Sequence, residues 1–246
     1  MHRFFAPDVA APGDLIALPP GDATHLTRVL RLGVGAAIVV FDGRGRQFGG
    51  TVETLKPEVR VRAGEPVAAA PEPRVRLTLV QAVLKGDGMD GVVRDAVMLG
   101  AAVVQPVVTA RAEVALAALR RGPRAERWRR IALASVKQCG RAVVPDVAEP
   151  IALDAALAGV TADLRIMLVE PGADAGETQT LASLREGPAP ASAALLVGPE
   201  GGWTVADLAA ARRCGWTALR LGGRTLRAES VAIVAISGLW GEWGEM

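Results

Sequence analysis

Between Ala194 and Ser230 the chain reads ALLVGPEGGW, a short stretch, then ALRLGGRTLRAES. Each half is an apolar strand-like run that opens directly into a glycine-rich loop ahead of a helix. That device, used twice, restricts the chain to an open α/β architecture. In such sheets the crevice at the carboxyl ends of the strands holds small ligands. Gly198, Gly201, Gly202, Gly222 and Gly223 carry no β-carbon, so backbone there can approach a ligand closely and adopt positive φ. Pro199 fixes φ and removes a donor, which stiffens the first loop.

The residues around these loops narrow the chemistry. The chain has no G-x-x-x-x-G-K-[ST] segment, so a Walker-type phosphate loop is excluded. Gly43-Arg-Gly45-Arg-Gln-Phe48 approaches G-x-G-x-x-G but puts Phe at the third glycine; it reads better as a hairpin turn between Val40 and Thr51. No G-x-S-x-G nucleophile elbow occurs. His2 and His25 lie far in sequence from the glycine loops, against Ser-His-Asp chemistry and His-rich zinc sites. Cys139 and Cys214 lack the paired spacing of a metal site and are expected as buried thiols in a reducing compartment. No metal is expected. What is left is a backbone-lined pocket with few titrating groups, suited to a cofactor that arrives already activated.

Residues 1–67 read as short strands (2–5, 14–18, 36–41, 47–55 and 59–62) around one helix over 22–30, with Asp22 as its N-cap and Gly33 just past its end. This spacing of strands and turns predicts a small β-barrel. Residues 68–73, AAAPEP, form a stiff linker, which places domains at 1–70 and 74–246. From Arg74 the pattern becomes strands at 77–80, 103–109, 166–169, 193–197 and 219–221, alternating with helices that include 89–99, 112–121 and 123–139. Thr204 and Asp207 have capping-box spacing, and their helix should stop at Gly215. Such alternation predicts a mainly parallel sheet with helices on its faces. The apolar run 231–240 is too short to span a bilayer and is expected as a buried helix.

Charge is distributed unevenly. Residues 74–150 hold 13 basic and seven acidic side chains, whereas 151–246 hold seven basic and 11 acidic. A basic middle beside an acidic tail predicts a polyanion on one face. The N-terminus MHRFFAPDVA has no long apolar segment of the signal-peptide kind, so a cytoplasmic protein without membrane attachment is expected.

QAVLKGDGMD (81–90), RWRRIALASVKQCGRAVVP (127–145), LLVGPEGGW (195–203) and LGGRTLRAES (221–230), with MHRFF and HLTRVLRLGVG (25–35) near the start, resemble the RsmE-type ribosomal RNA methyltransferases of the SPOUT superfamily. The resemblance covers nearly the whole chain. It implies an N-terminal PUA-like β-barrel that grips RNA and a C-terminal α/β domain with a trefoil knot. It further implies S-adenosylmethionine as cofactor, a homodimer, and methylation of a uridine N3 in 16S rRNA of the small ribosomal subunit. Gly88, Gly91, Asp95 and Lys137 depart from the family pattern, Lys137 by reversing a charge where Glu usually precedes QCGR.

On that resemblance the cofactor is expected against Leu196, Val197, Gly198, Glu200, Gly201, Gly202, Leu221, Gly222, Leu226 and Arg227. Arg3, His25, Arg28, Arg31, Lys85 and Arg141 are expected to contact RNA. Uracil N3 must lose its proton before it can attack a methyl group, so a base or an anion-stabilising cation is needed. Arg227 and Glu229 are the candidates, Arg227 for the uracil anion or a phosphate and Glu229 as base. Glu229 equally suits the positive end of the last helix. The six arginines between Arg120 and Arg130 fit either a solvated helix face or an RNA-backbone patch. Two alternatives stay open: an RNA-binding or ribosome-assembly protein with weak or lost activity, and a methyltransferase acting on another RNA.

Overall fold

The computed structural model describes residues 1–245, apart from the side chain of Glu186. It divides into two units, one of residues 1–72 with 133–144 and one of residues 73–132 with 145–246.

The first unit is built on a five-stranded sheet. Its strands are β1 (Arg3–Phe5), β2 (Leu15–Ala17), β3 (Ala37–Phe41), β4 (Gln47–Thr54) and β5 (Arg60–Pro66), in the order β1-β3-β4-β5-β2. The β1–β3 pair is parallel and the others antiparallel. Phe4, Ile38, Val40, Val52 and Val61 bury one apolar face, and Leu26 seals it from the helical segment between β2 and β3. The tip of the β3–β4 hairpin needs left-handed backbone at Gly43 (φ 77°) and Gly45 (φ 110°), and a β-carbon on Gly43 would meet the Phe5 ring at 2.8 Å. The buried Asp42 carboxylate ties this turn by accepting from the Arg44 and Arg46 amides at 2.7 and 3.0 Å.

The helical segment begins earlier than expected. It is α1 (Pro20–Thr24), continued as a π-helical stretch His25–Val29, and its N-cap is Pro19 rather than Asp22. Asp22 is instead buried inside the first turn, where its Oδ1 meets Lys137 Nζ at 2.6 Å. Residues 133–144, expected in the second domain, belong to this unit. The Arg3 guanidinium explains much of that: it donates to the carbonyls of Val136 (3.0 Å) and Arg141 (2.7 Å) and to Gln47 Oε1 (2.5 Å), and lies 5.0 Å over the Phe41 ring. The backbone reinforces it, Gly45 N–H donating to Ala142 O and Val144 N–H to Gly43 O.

The second unit runs β6 (Arg76–Ala82), α2 (Gly88–Met98), β7 (Val103–Val108), α3 (Leu116–Arg121), α4 (Arg124–Cys139, whose end lies in the first unit), β8 (Asp146–Val147), β9 (Ile151–Ala152) and α5 (Leu153–Gly159). It continues with β10 (Leu164–Leu168), β11 (Gln179–Thr180), β12 (Ser192–Val197), α6 (Val205–Arg213), β13 (Thr217–Arg220) and α7 (Ala228–Trp243). All its strands pair in parallel, in the order β11-β13-β10-β12-β6-β7-β8 with β9 also on β7. Central strands of a parallel sheet are covered on both faces, and β12 is accordingly buried from Ala193 through Val197. One face packs Val80, Met167, Ala194 and Leu196 against Leu157 of α5 and Leu208 of α6. On α7, which packs against α2, Trp240 Nε1 donates to Leu99 O at 2.5 Å.

Local signals place the elements that frame the site. Thr204 Oγ1 accepts from Asp207 N at 3.0 Å while Asp207 Oδ2 accepts from Thr204 N at 2.9 Å, the reciprocal capping box the spacing predicts, and Gly215 ends the segment at φ 76°. Strand order does the rest. β12 inserts between β6 and β10, and β13 then pairs on the far side of β10.

Candidate functional site

Register brings three strand ends together. Met167 of β10 is level with Leu196 of β12, and Leu168 with Leu219 of β13. The loops leaving β10, β12 and β13 therefore open at one edge of the sheet, with β10 between the other two. A pocket lies there with about 660 Å³ of empty space, its open mouth included.

Its walls are apolar side chains and bare backbone. Val169, Val197, Leu221, Leu226 and Val231 supply apolar surface, and Gly198, Gly202 and Gly222 supply backbone. The glycines are required by their neighbours. A β-carbon at Gly198 would lie 3.0 Å from Trp203 Cε2, and one at Gly202 (φ 67°) would run into the Glu170 carboxylate. Gly222 sits at φ 146° beside open space, leaving its main chain accessible. Trp203 forms a buried wall, its indole N–H donating to Leu168 O at 2.7 Å, which ties the β10 end to the β12 loop.

A second set of bonds braces the β12 loop from outside. Glu200 Oε1 accepts from the Lys85 amide at 2.9 Å, and Arg111 donates to Gly201 O at 2.7 Å. The Lys85 ammonium pairs with Glu113 at 2.5 Å, and that hydrogen bond and charge raise its pKa above the ordinary lysine value. Lys85, expected at RNA, is thus exposed but tethered.

Of the expected cofactor residues, Val197, Gly198, Glu200, Gly202, Leu221, Gly222 and Leu226 line the pocket. Leu196 does not: alternation along β12 turns its side chain into the core beneath. Gly201 and Arg227 also lie off the wall, Gly201 because its carbonyl is turned to Arg111. Arg227 is the N-cap of α7 and Glu229 lies in its first turn, both exposed, flanked by wall residues Leu226 and Ala228. Sequence reasoning missed the β10 end, Leu168 to Pro171, and with it the carboxylate of Glu170. Only the order of the strands reveals it.

The expected RNA residues divide. His25, Arg28 and Arg31 are exposed on the first unit, Arg31 with left-handed backbone at φ 53°. Arg3 and Arg141 are turned inward. Arg141 is 3 % exposed and its Nη2 meets Glu72 Oε2 at 2.5 Å, while the Arg3 guanidinium is occupied by carbonyls. Both cations serve the interior of the unit. The arginine run is also partly occupied: Arg127 pairs with Asp87 and Asp90, and Arg129 with Glu149. Cys139 and Cys214 are half-buried rather than fully buried. Among the described residues there is no cluster of three metal-ligating side chains, and no helix is long and apolar enough to cross a membrane.

Comparison with known proteins adds an independent line. Residues 71–240 match the family model described as RNA methyltransferase domain, and residues 18–62 the one described as RNA methyltransferase PUA domain. Among curated proteins, the ribosomal RNA small subunit methyltransferase E of Synechocystis sp. is 30 % identical over 93 % of this chain and 75 % of its own length. That of Mycobacterium tuberculosis is 28 % identical, over 94 % and 86 %. Among solved structures, a Neisseria gonorrhoeae ribosomal RNA small subunit methyltransferase E bound to S-adenosyl methionine superposes with TM-score 0.87 at 29 % identity, covering 99 % of this chain and 98 % of that one. A Legionella pneumophila protein in complex with the same cofactor gives TM-score 0.88 at 30 % identity, covering 97 % and 96 %.

Proposed function

The chain belongs to the RNA methyltransferase family, and we propose that it is an S-adenosylmethionine-dependent enzyme that methylates N3 of a uridine in 16S rRNA of the small ribosomal subunit. The observation that carries this reading is the glycine-walled pocket at the joined ends of β10, β12 and β13. The residues fit the cofactor: backbone is exposed where Gly198, Gly202 and Gly222 lack side chains, and apolar walls stand ready for an adenine ring.

When bound, the cofactor supplies a methyl group already activated on a sulfonium, with a neutral thioether as leaving group. The chain's own residues then have three tasks. Val169, Val197, Leu221, Leu226 and Val231 exclude water from the reacting centre. The bonds from Trp203 to Leu168 and from Arg111 to Gly201 hold the loops in one geometry, which is what in-line transfer demands. Arg227 stabilises the uracil anion and Glu229 receives the N3 proton, both from positions flanking the pocket.

The remaining assignments follow the same reading. The first unit, whose PUA match and five-stranded sheet support a barrel, grips rRNA through His25, Arg28 and Arg31. The insertion of β12 between β6 and β10, with β13 beyond, supports a knotted C-terminal segment. Exposed Ile233 and Val234 on α7 support a homodimer. The enzyme works in the cytoplasm, where its rRNA is.

The test is transfer of tritiated methyl from S-adenosylmethionine to small subunits and naked 16S rRNA, both lacking the modification. Label at a uridine N3 is expected, and replacing Arg227 or Glu229 by Ala should cut turnover far more than cofactor affinity. Cofactor binding without transfer to either substrate would overturn the assignment.

A further inference from the structure

Two carboxylates line the pocket, and they are in different states. Glu200 is committed, its Oε1 accepting from the Lys85 amide at 2.9 Å. Glu170 is not: among the described residues its side chain has no hydrogen bond and no cation within 4 Å, although it stands over the glycine loop at Gly202. Among the described residues nothing bonds this carboxylate, and it lines the pocket. Glu170 lies just past the end of β10, three residues beyond Met167, whose partner in register is Leu196 of β12. On the other side Leu168 is level with Leu219 of β13, so Glu170 enters the loop that leaves β10 between its two neighbours.

A carboxylate at the end of the strand beside a glycine-rich loop has a characteristic use in open parallel sheets. The loop's backbone takes the charged or bulky part of a nucleotide, and the acid on the neighbouring strand accepts from ribose hydroxyls. Two oxygens of one carboxylate match two vicinal hydroxyls, and an acceptor without a cation of its own is free to receive both. Resting on the cofactor reading above, we infer that Glu170 is the residue that binds the ribose diol of the adenosyl group. Gly202 leaves room for this: any side chain there would occupy the space the carboxylate holds.

Calorimetry with S-adenosylhomocysteine and its 2′-deoxy and 3′-deoxy counterparts tests the inference without turnover. Wild-type protein should bind the parent about tenfold more tightly than at least one deoxy form, the size of a lost charge-assisted hydrogen bond. Glu170→Ala should weaken the parent by about the same factor and bind all three alike. Glu170→Gln, which keeps one acceptor and the shape, should fall between, and circular dichroism should show both variants folded since the side chain is exposed. Parent binding unaffected in Glu170→Ala overturns the inference. So does weaker binding that keeps the wild-type preference for the diol, because the carboxylate would then meet another part of the ligand. Wild-type protein that binds none of the three overturns the proposed function itself, and this inference with it.

Discussion

Lys137 Nζ lies 2.6 Å from Asp22 Oδ1, joining a helix end to the buried first turn of α1 across 115 residues of sequence. The pair accounts for Lys137, which reverses the charge of the motif the chain otherwise resembles: a Glu at this position would face a buried carboxylate. Lys137→Glu should therefore destabilise the first unit, by about 2–4 kcal/mol, because it leaves one buried charge unpaired and adds a like one. Lys137→Met should cost less, and Asp22→Asn should restore part of the loss in the Glu variant. Urea denaturation of the single and double variants checks this; additive losses would mean the two side chains do not interact.

Arg141 and Arg28 should separate stability from RNA affinity. Arg141 is buried against Glu72, so Arg141→Ala should lower stability by about 1–3 kcal/mol, read from the urea midpoint. Arg28 is exposed, and Arg28→Ala should leave the midpoint unchanged. It should instead weaken rRNA binding and reduce the slope of log affinity against log salt by about 1, as loss of one phosphate contact does.

The pocket wall offers a sharper pair. Gly202→Ala imposes a side chain on left-handed backbone at φ 67° and drives it into Glu170. S-Adenosylhomocysteine binding should fall at least about tenfold because the Glu170 carboxylate must move out of its place in the pocket, while backbone strain lowers stability by about 1–2 kcal/mol. Trp203→Phe keeps the ring against Gly198 but removes the donor to Leu168 O. It should cost about 1–3 kcal/mol in stability and a smaller factor in affinity, measured by thermal denaturation and calorimetry.

The Asp42 turn predicts an acid limb in the stability profile. Burial alone would raise this carboxyl's pKa, but hydrogen bonds from the Arg46 side chain and the Arg44 and Arg46 amides outweigh it and hold the value below the ordinary one. A depressed folded pKa adds stability that is present above the unfolded value, about 3.9, and is lost as pH falls through the folded one. The advantage of wild type over Asp42→Asn should thus be constant from pH 5 to 8 and shrink below about pH 4. Denaturation at a series of pH values checks it; a constant difference down to pH 2 would refute the coupling.

The sequence by itself determined what local backbone chemistry controls. The apolar run at 193–197 is a strand, the one expected at 219–221 belongs to a strand that begins at Thr217, Thr204 and Asp207 cap the helix between them, and Gly198, Gly202 and Gly222 line the pocket. These features depend on residues a few positions apart, so periodicity and turn chemistry suffice to read them. Where side-chain charge was concerned, the same reading went astray. Asp22 looked like a helix cap, and nothing local showed that Asp22, Arg3 and Arg141 are held inside the unit, because each has partners more than sixty residues away. Only the tertiary structure decided those. It also decided that β10 lies between β12 and β13, which puts Glu170 in the pocket wall although its own neighbours in sequence resemble any buried strand end. Short-range preferences settle which segments are strands, but the order in which strands pair, and hence which charges meet, depends on contacts distant in sequence that form only when the whole sheet closes around its core.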